Sequence, residues 1–413
     1  MLPVIVQLLG ADRYAMKLSK RLAKLRTSLL VRPSLRTPLE GEERHATWLE
    51  LFYDLVVVVA VSQVAYGLSQ DHSPTGILVF AGLFIPVFWV WTGHTVYATR
   101  FDTNDLVYQL FTFLQMFAVV GMAVEVRHAA QGDTRDFMLA YLGARLILLA
   151  LLARAGRHAH AARPFLRIYL SGFGAGAALW AIAIVLPPPA QYILWGTSLG
   201  LELAVPWLIW QSMHPTSGVS PSHIPERFGL FTIIVLGESI SAVVRGLVGR
   251  HWEGPAVAVA SLGFGIGVCV WWIYFRHLER AIGKIKMGSG QPYVYSHIPL
   301  VVGIVVMGIG IELAIKESGA DRFLPGTFGL LWSGVYLWAL GGWLLHHVMH
   351  PRKSQAAAFR YAGTLAILVA ANLASRFLSP LSAMALLLFC LFVLLVEEER
   401  LHETGSHHES NAD

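Results

Sequence analysis

Twelve long apolar segments follow one another along this chain, at about 48–69, 75–97, 104–126, 136–155, 165–186, 190–211, 225–248, 255–278, 294–315, 325–349, 357–376 and 380–396. About twenty apolar residues wound as a helix cross the hydrocarbon core of a bilayer. Such segments predict an all-α polytopic membrane protein with about 12 transmembrane helices. The composition points the same way: 55% of the 413 residues are hydrophobic and 14% are charged, against about 25% charged in a soluble domain. That deficit excludes a soluble globular protein, a disordered chain and an ordinary nucleic-acid-binding domain. Membrane lipids, not nucleic acid, are the expected surroundings.

The two ends differ from the middle. The first ten residues, MLPVIVQLLG, lack a basic leader and are too short to span, which makes a poor signal peptide. Tyr14, Leu18, Leu22, Leu25 and Leu29 then recur at helical spacing, with Lys17, Lys20, Arg21 and Lys24 on the other face. Two readings of residues 1–44 stay open: a basic amphipathic helix lying on anionic lipid, or a basic tail that only sets orientation. Residues 397–413 are hydrophilic and are expected to be a disordered tail. Orientation follows from lysine and arginine, which accumulate on the cytoplasmic side. Twenty-three of these residues fall in segments on the side of the N-terminus and seven on the other. A multi-pass protein of a bacterial inner membrane with both termini cytoplasmic is expected. The net charge of +5 is then a topology signal. Cys269 and Cys390 lie in apolar runs without a CxxC partner, so neither a disulfide nor a zinc site is expected.

The halves resemble each other. Tyr108 precedes Gly121 and Glu125 at the same intervals as Tyr295 precedes Gly308 and Glu312. Trp89-Val90-Trp91 then Tyr97 in the second segment matches Trp271-Trp272-Ile273-Tyr274 in the eighth, and Leu51-Phe52 in the first matches Leu230-Phe231 in the seventh. An even number of spans per half gives both the same orientation. The expectation is two parallel six-helix repeats, 45–211 and 212–396, related about an axis near the membrane normal.

Ionisable residues inside the apolar segments are the candidates for function. Each costs roughly 2.5–3.5 kcal/mol or more in hydrocarbon, so it needs a partner or a job. Glu50 and Asp54 are one turn apart on the first segment, and Glu238 is near the middle of the seventh. These acids suit an ion or proton pathway, and His94 is a further candidate, although a lone histidine on an apolar span is more often a hydrogen-bonded packing residue. Arg145 and Glu202, mid-way along the fourth and sixth segments, are better explained by charge pairing, Arg145 with Glu202 or Glu238 and Glu50 with a cytoplasmic arginine. His346, His347 and His350 have metal-ligand spacing but no Cys or carboxylate nearby, and interfacial solvation explains them better; no metal or cofactor is implied. Gly172/Gly176 and Gly263/Gly267 are GxxxG faces that signify close helix packing. No lysine lies deep in a span, and no Walker A, GxSxG or HExxH sequence occurs, so nothing argues for an enzyme.

Three motifs carry a resemblance. Arg44-His45-Ala46-Thr47-Trp48-Leu49-Glu50-Leu51-Phe52-Tyr53-Asp54-Leu55-Val56, Arg100-Phe101-Asp102-Thr103-Asn104-Asp105, and the run from Pro225-Glu226-Arg227-Phe228-Gly229 through Gly237-Glu238-Ser239 closely resemble the bacterial low temperature requirement A (LtrA) family. The similarity runs from about 43 to 395. It departs at Asn104, where an acid is expected, and at Arg276, where an Asp commonly stands. The resemblance implies a polytopic inner-membrane protein linked to growth in the cold and names no molecular activity. The first helix, with Arg44 and then Phe52-Tyr53-Asp54, is also similar to a family of lysosomal and bacterial potassium channels built from six-span units.

These readings converge on a transport protein, a channel or a proton- or cation-coupled carrier for a small ion or solute, with Asp54 as the cation site and Glu238 as its second-half carboxylate. The alternative is a non-transporting sensor or stress-adaptation scaffold whose charges pair for packing; a lipid-modifying enzyme ranks third. A homo-oligomer is compatible with either of the first two.

Overall fold

The computed structural model describes residues 31–35, 45–102, 104–212, 223–281, 290–349 and 355–410. Among them are twelve α-helices. The first six are α1 (Trp48–Gln70), α2 (Pro74–Arg100), α3 (Leu106–Ala130), α4 (Arg135–His158), α5 (Arg163–Ala183) and α6 (Ala190–Ser212). The second six are α7 (His223–Leu247), α8 (Gly254–Ala281), α9 (Gly290–Lys316), α10 (Pro325–Met349), α11 (Gln355–Ser375) and α12 (Pro380–Ser410). Eleven are long and apolar enough to cross a membrane, and α11 contributes a shorter apolar stretch, Phe359–Ser375. The chain is an all-α polytopic membrane protein, as its apolar segments predict.

Helix starts are fixed by local chemistry. Thr47 caps α1 in a reciprocal capping box with Glu50, Ser73 caps α2 ahead of Pro74, and Asp105 caps α3. Each cap satisfies an N–H that has no partner within its helix.

At the centre α1 packs against α2, α3 and α7, and α7 packs against α8 and α9. Three contacts fix the α1–α7 register: Ala46 with Glu226, Asp54 with Arg227, and Ser62 with Glu238. Their order is the same in both helices, so α1 and α7 run parallel. The neighbours of α1 in the first half recur around α7 in the second: α3 and α9 hold equivalent places, as do α4 beside α3 and α10 beside α9.

The tightest seam lies between α9 and α10. A Cβ on Gly310 would stand 2.6 Å from the Leu331 Cα, and one on Gly341 would stand 2.5 Å from the Leu300 backbone nitrogen. Only glycine allows that approach. The GxxxG faces also pack closely: Gly172 meets Val205, Gly176 meets Glu202, and Gly263 meets Ile311.

Secondary structure reaches into both end segments. In the segment read as a disordered C-terminal tail, α12 continues to Ser410. The run Glu397-Glu398-Glu399-Arg400-Leu401-His402-Glu403 consists mainly of good helix formers, so polarity does not stop the helix. Within the segment read as a basic N-terminal tail, Ser34–Leu35 forms a short antiparallel ladder with Phe101–Asp102 after α2. The expected amphipathic helix and Arg44 lie outside the described residues.

Candidate functional site

A seam of ionisable groups runs between α1 and α7. Asp54, in the second turn of α1, has no solvent contact. Its Oδ1 accepts a hydrogen bond from Trp91 Nε1 of α2 at 2.6 Å and another from Arg227 Nη2 of α7 at 2.7 Å. Its Oδ2 accepts none among the described residues. Arg227 is equally buried, and its Nη1 stands 4.0 Å from Glu50 Oε2. His223, one turn earlier, places Nε2 3.8 Å from the same oxygen and pairs through Nδ1 with Thr99 at 2.9 Å. Glu50 also accepts from the Thr47 backbone N–H at 2.7 Å. Two carboxylates, a guanidinium and an imidazole thus converge at the N-terminal ends of two parallel helices, where the helix dipoles favour the acids.

A second cluster lies further along the same helices. The Ser62 hydroxyl of α1 donates to Glu238 of α7. Arg245 bridges Glu238 at 2.8 Å and Glu312 of α9 at 2.9 Å, and Lys316 reaches Glu312 at 2.6 Å. Eight residues of helix, about 12 Å, separate Asp54 from Ser62. Val57, Val58, Ala60 and Val61 fill that interval and are all buried. The seam is therefore two charged clusters with an apolar plug between them.

His94 adjoins the first cluster. Tyr53 stacks on it with ring centroids 4.2 Å apart, and its two nitrogens pair with Gln115 at 2.9 Å and the Tyr108 hydroxyl at 3.3 Å. Arg145 and Glu202 form a separate ion pair across α4 and α6. Tyr141 joins them, donating to Glu202 at 2.6 Å and accepting from Arg145 Nε at 2.8 Å. This triad belongs wholly to the first six helices, and Gly176 makes room for the Glu202 side chain.

Of the residues singled out from the sequence, Glu50, Asp54 and Glu238 line the seam, His94 flanks it, and Arg145 and Glu202 satisfy each other. Asp105 is a cap and also binds Arg154 of α4 at 2.5 and 3.1 Å. Phe52 faces outward, half exposed. Glu226 accepts from the Ala46 N–H at 3.2 Å, just ahead of α1. Asp102 is placed by its backbone in the ladder with Ser34. His346 and His347 lie near the Tyr361 ring, and His350 is outside the described residues. Sequence reasoning missed Arg227 and Arg245 as partners, because both stand near helix ends and read as loop charges. The i, i+4 spacing of His223 and Arg227 on one face of α7 was the available signal.

Residues 45–396 match the family described as Bacterial low temperature requirement A protein (LtrA). The chain belongs to the LtrA family. The match takes in the whole seam of this LtrA protein, from Thr47 to Lys316, and stops short of the polar end of α12. A relative from Rhizobium meliloti (strain 1021), "Uncharacterized protein RA0937", is 29% identical over 311 residues, covering 68% of this chain and 76% of the relative. No solved structure matches.

Proposed function

We propose that this LtrA-family protein is a membrane transport protein, a proton- or cation-coupled carrier or channel for a small solute, and that the α1–α7 seam is its coupling site. One observation carries this reading: charges buried between the leading helices of the two halves, at two depths on either side of an apolar plug. Replacing a buried ion pair by well-packed apolar residues is often neutral or stabilising, so two such clusters are poorly explained by stability alone. Ionisable groups at membrane depth mark ion and proton pathways by default, and carrier sites lie at the interface between repeats. The parallel course of α1 and α7, with matching neighbours around each, supports two parallel six-helix repeats.

In this reading the structure is a closed form. A proton or cation arriving beside Glu50 competes with Arg227 for the Asp54 carboxylate, whose Oδ2 accepts no hydrogen bond among the described residues. Once that bond loosens, α1 can move relative to α7. The Glu238–Arg245–Glu312 bridge is the corresponding latch at the other end. The membrane is the bacterial inner membrane, with both termini cytoplasmic and the basic N-terminal segment against anionic lipid; the role is in growth at low temperature.

A second reading is favoured by a specific observation: Asp54, Glu202, Glu238 and Glu312 each face an arginine. A scaffold or sensor would keep such pairs closed. Reconstitution into proteoliposomes separates the two. Transport predicts protein-dependent flux driven by a pH gradient or by one of a panel of monovalent cations. Liposomes as tight as protein-free controls under every gradient would leave the scaffold.

A further inference from the structure

Arg100 closes α2 and is more than nine-tenths buried. The other deeply buried arginines, Arg145 and Arg227, each face a carboxylate; Arg100 has no acid partner among the described residues. Its Nε and Nη1 have no hydrogen-bond acceptor there either. The flat face of the guanidinium is occupied, with its carbon 5.1 Å from the Phe165 ring centroid and 5.9 Å from that of Tyr169. Stacking of this kind uses the face and leaves the in-plane N–H donors unspent.

Those donors belong to a residue lining a cavity of about 30 Å³ between α2, α4, α5 and α6, room for about two waters or one small anionic group. Its other walls are mainly apolar, including Trp89, Val96, Leu152 and Phe173, with Gln291 of α9 adding an amide. A buried, unneutralised guanidinium beside hydrocarbon and aromatic walls is complementary to an oxyanion carried on an apolar body. We propose that this cavity binds the carboxylate or phosphate headgroup of a single-chain amphiphile, with Arg100 as counter-charge and the aromatic walls against its first methylenes. The cavity is at the same end of the bundle as Glu50 and Asp54, since α2 ends there and α5 and α9 begin there. None of its lining residues belongs to the α1–α7 seam, so binding there is measured separately from transport along that seam.

The test uses the purified full-length chain in nanodiscs, titrated with dodecanoate, dodecyl phosphate, dodecanol, acetate and inorganic phosphate, read by calorimetry and thermal unfolding. Saturable binding of dodecanoate or dodecyl phosphate, weakened at least about tenfold by Arg100→Gln, is the expected result. Arg100→Gln without ligand should unfold no earlier than wild type, because it removes an uncompensated charge. Val96→Trp keeps Arg100 but fills the cavity and should also abolish binding, which decides the matter if Arg100→Gln does not fold. Acetate or phosphate binding as tightly as the amphiphiles, and through Arg100, would keep the anion site and assign it to a soluble ligand. Equal binding of dodecanol, binding indifferent to Arg100→Gln and Val96→Trp, or no binding to folded wild type would overturn the proposal.

Discussion

Asp54 and Arg227 are both without solvent contact and joined at 2.7 Å, so neither can be altered alone without stranding the other. Asp54→Asn leaves a buried guanidinium facing Trp91, and Arg227→Gln leaves a buried carboxylate. Each single change is expected to cost about 3–5 kcal/mol of stability, while Asp54→Asn/Arg227→Gln should recover part of it, because no net charge is left in the pair although Glu50 loses its guanidinium neighbour. Unfolding of the detergent-solubilised variants measures this; single and double variants of equal stability would show that the pair is not coupled. Asp54 was legible in the sequence as an acid in need of a partner. The partner was not, because it lies 173 positions away and an arginine near the start of a helix looks like any loop charge. The same holds for Arg245, which follows Glu238 by seven residues, two turns on the same face of α7.

Packing between elements rests on glycine at particular places. Gly303 and Gly310 of α9, and Gly334 and Gly341 of α10, recur at seven-residue spacing and bring the two backbones into contact. Gly341→Ala is expected to lower stability by about 1–3 kcal/mol through overpacking. Gly267→Ala, whose new methyl would find its nearest neighbour 3.8 Å away at Ile240, should change it by less than about 0.5 kcal/mol. Thermal unfolding in detergent ranks the two, and an equal effect would contradict the close α9–α10 approach. The four-residue GxxxG pattern exposed the faces of α5 and α8 in the sequence. The seven-residue pattern of α9 and α10 was equally present but is diluted by other glycines, among them Gly308 and Gly342. Helix positions were legible because apolar windows end at Pro, Gly and Asx residues. The far end of α12 was not, since a charged run of helix formers carries no stop signal.

For the molecule as a whole, orientation and internal symmetry make separate claims. The proposed orientation, with both termini cytoplasmic, predicts that Asp133→Cys and Asp321→Cys, at exposed turns, react with an impermeant thiol reagent added outside cells. Ala161→Cys and Glu279→Cys should react only after permeabilisation. The native Cys269 and Cys390 are buried and leave a low background; labelling of Ala161→Cys from outside would invert or break the twelve-helix arrangement. Parallel repeats further require Glu125 and Glu312 at one side of the membrane, although their surroundings differ: Glu125 pairs with His128, whereas Glu312 is bridged by Arg245 and Lys316. A global similarity of this kind was readable from short matched intervals, but the meeting of α1 with α7 was not, because it depends on contacts between halves. That meeting is where the functional claim stands or falls. The most direct measurement compares ion-gradient-driven flux through wild type and Asp54→Asn/Arg227→Gln in proteoliposomes, at matched reconstitution and unfolding temperature. Coupled transport through the seam predicts flux in the wild type and none above protein-free liposomes in the folded double variant; undiminished flux in that variant would contradict it.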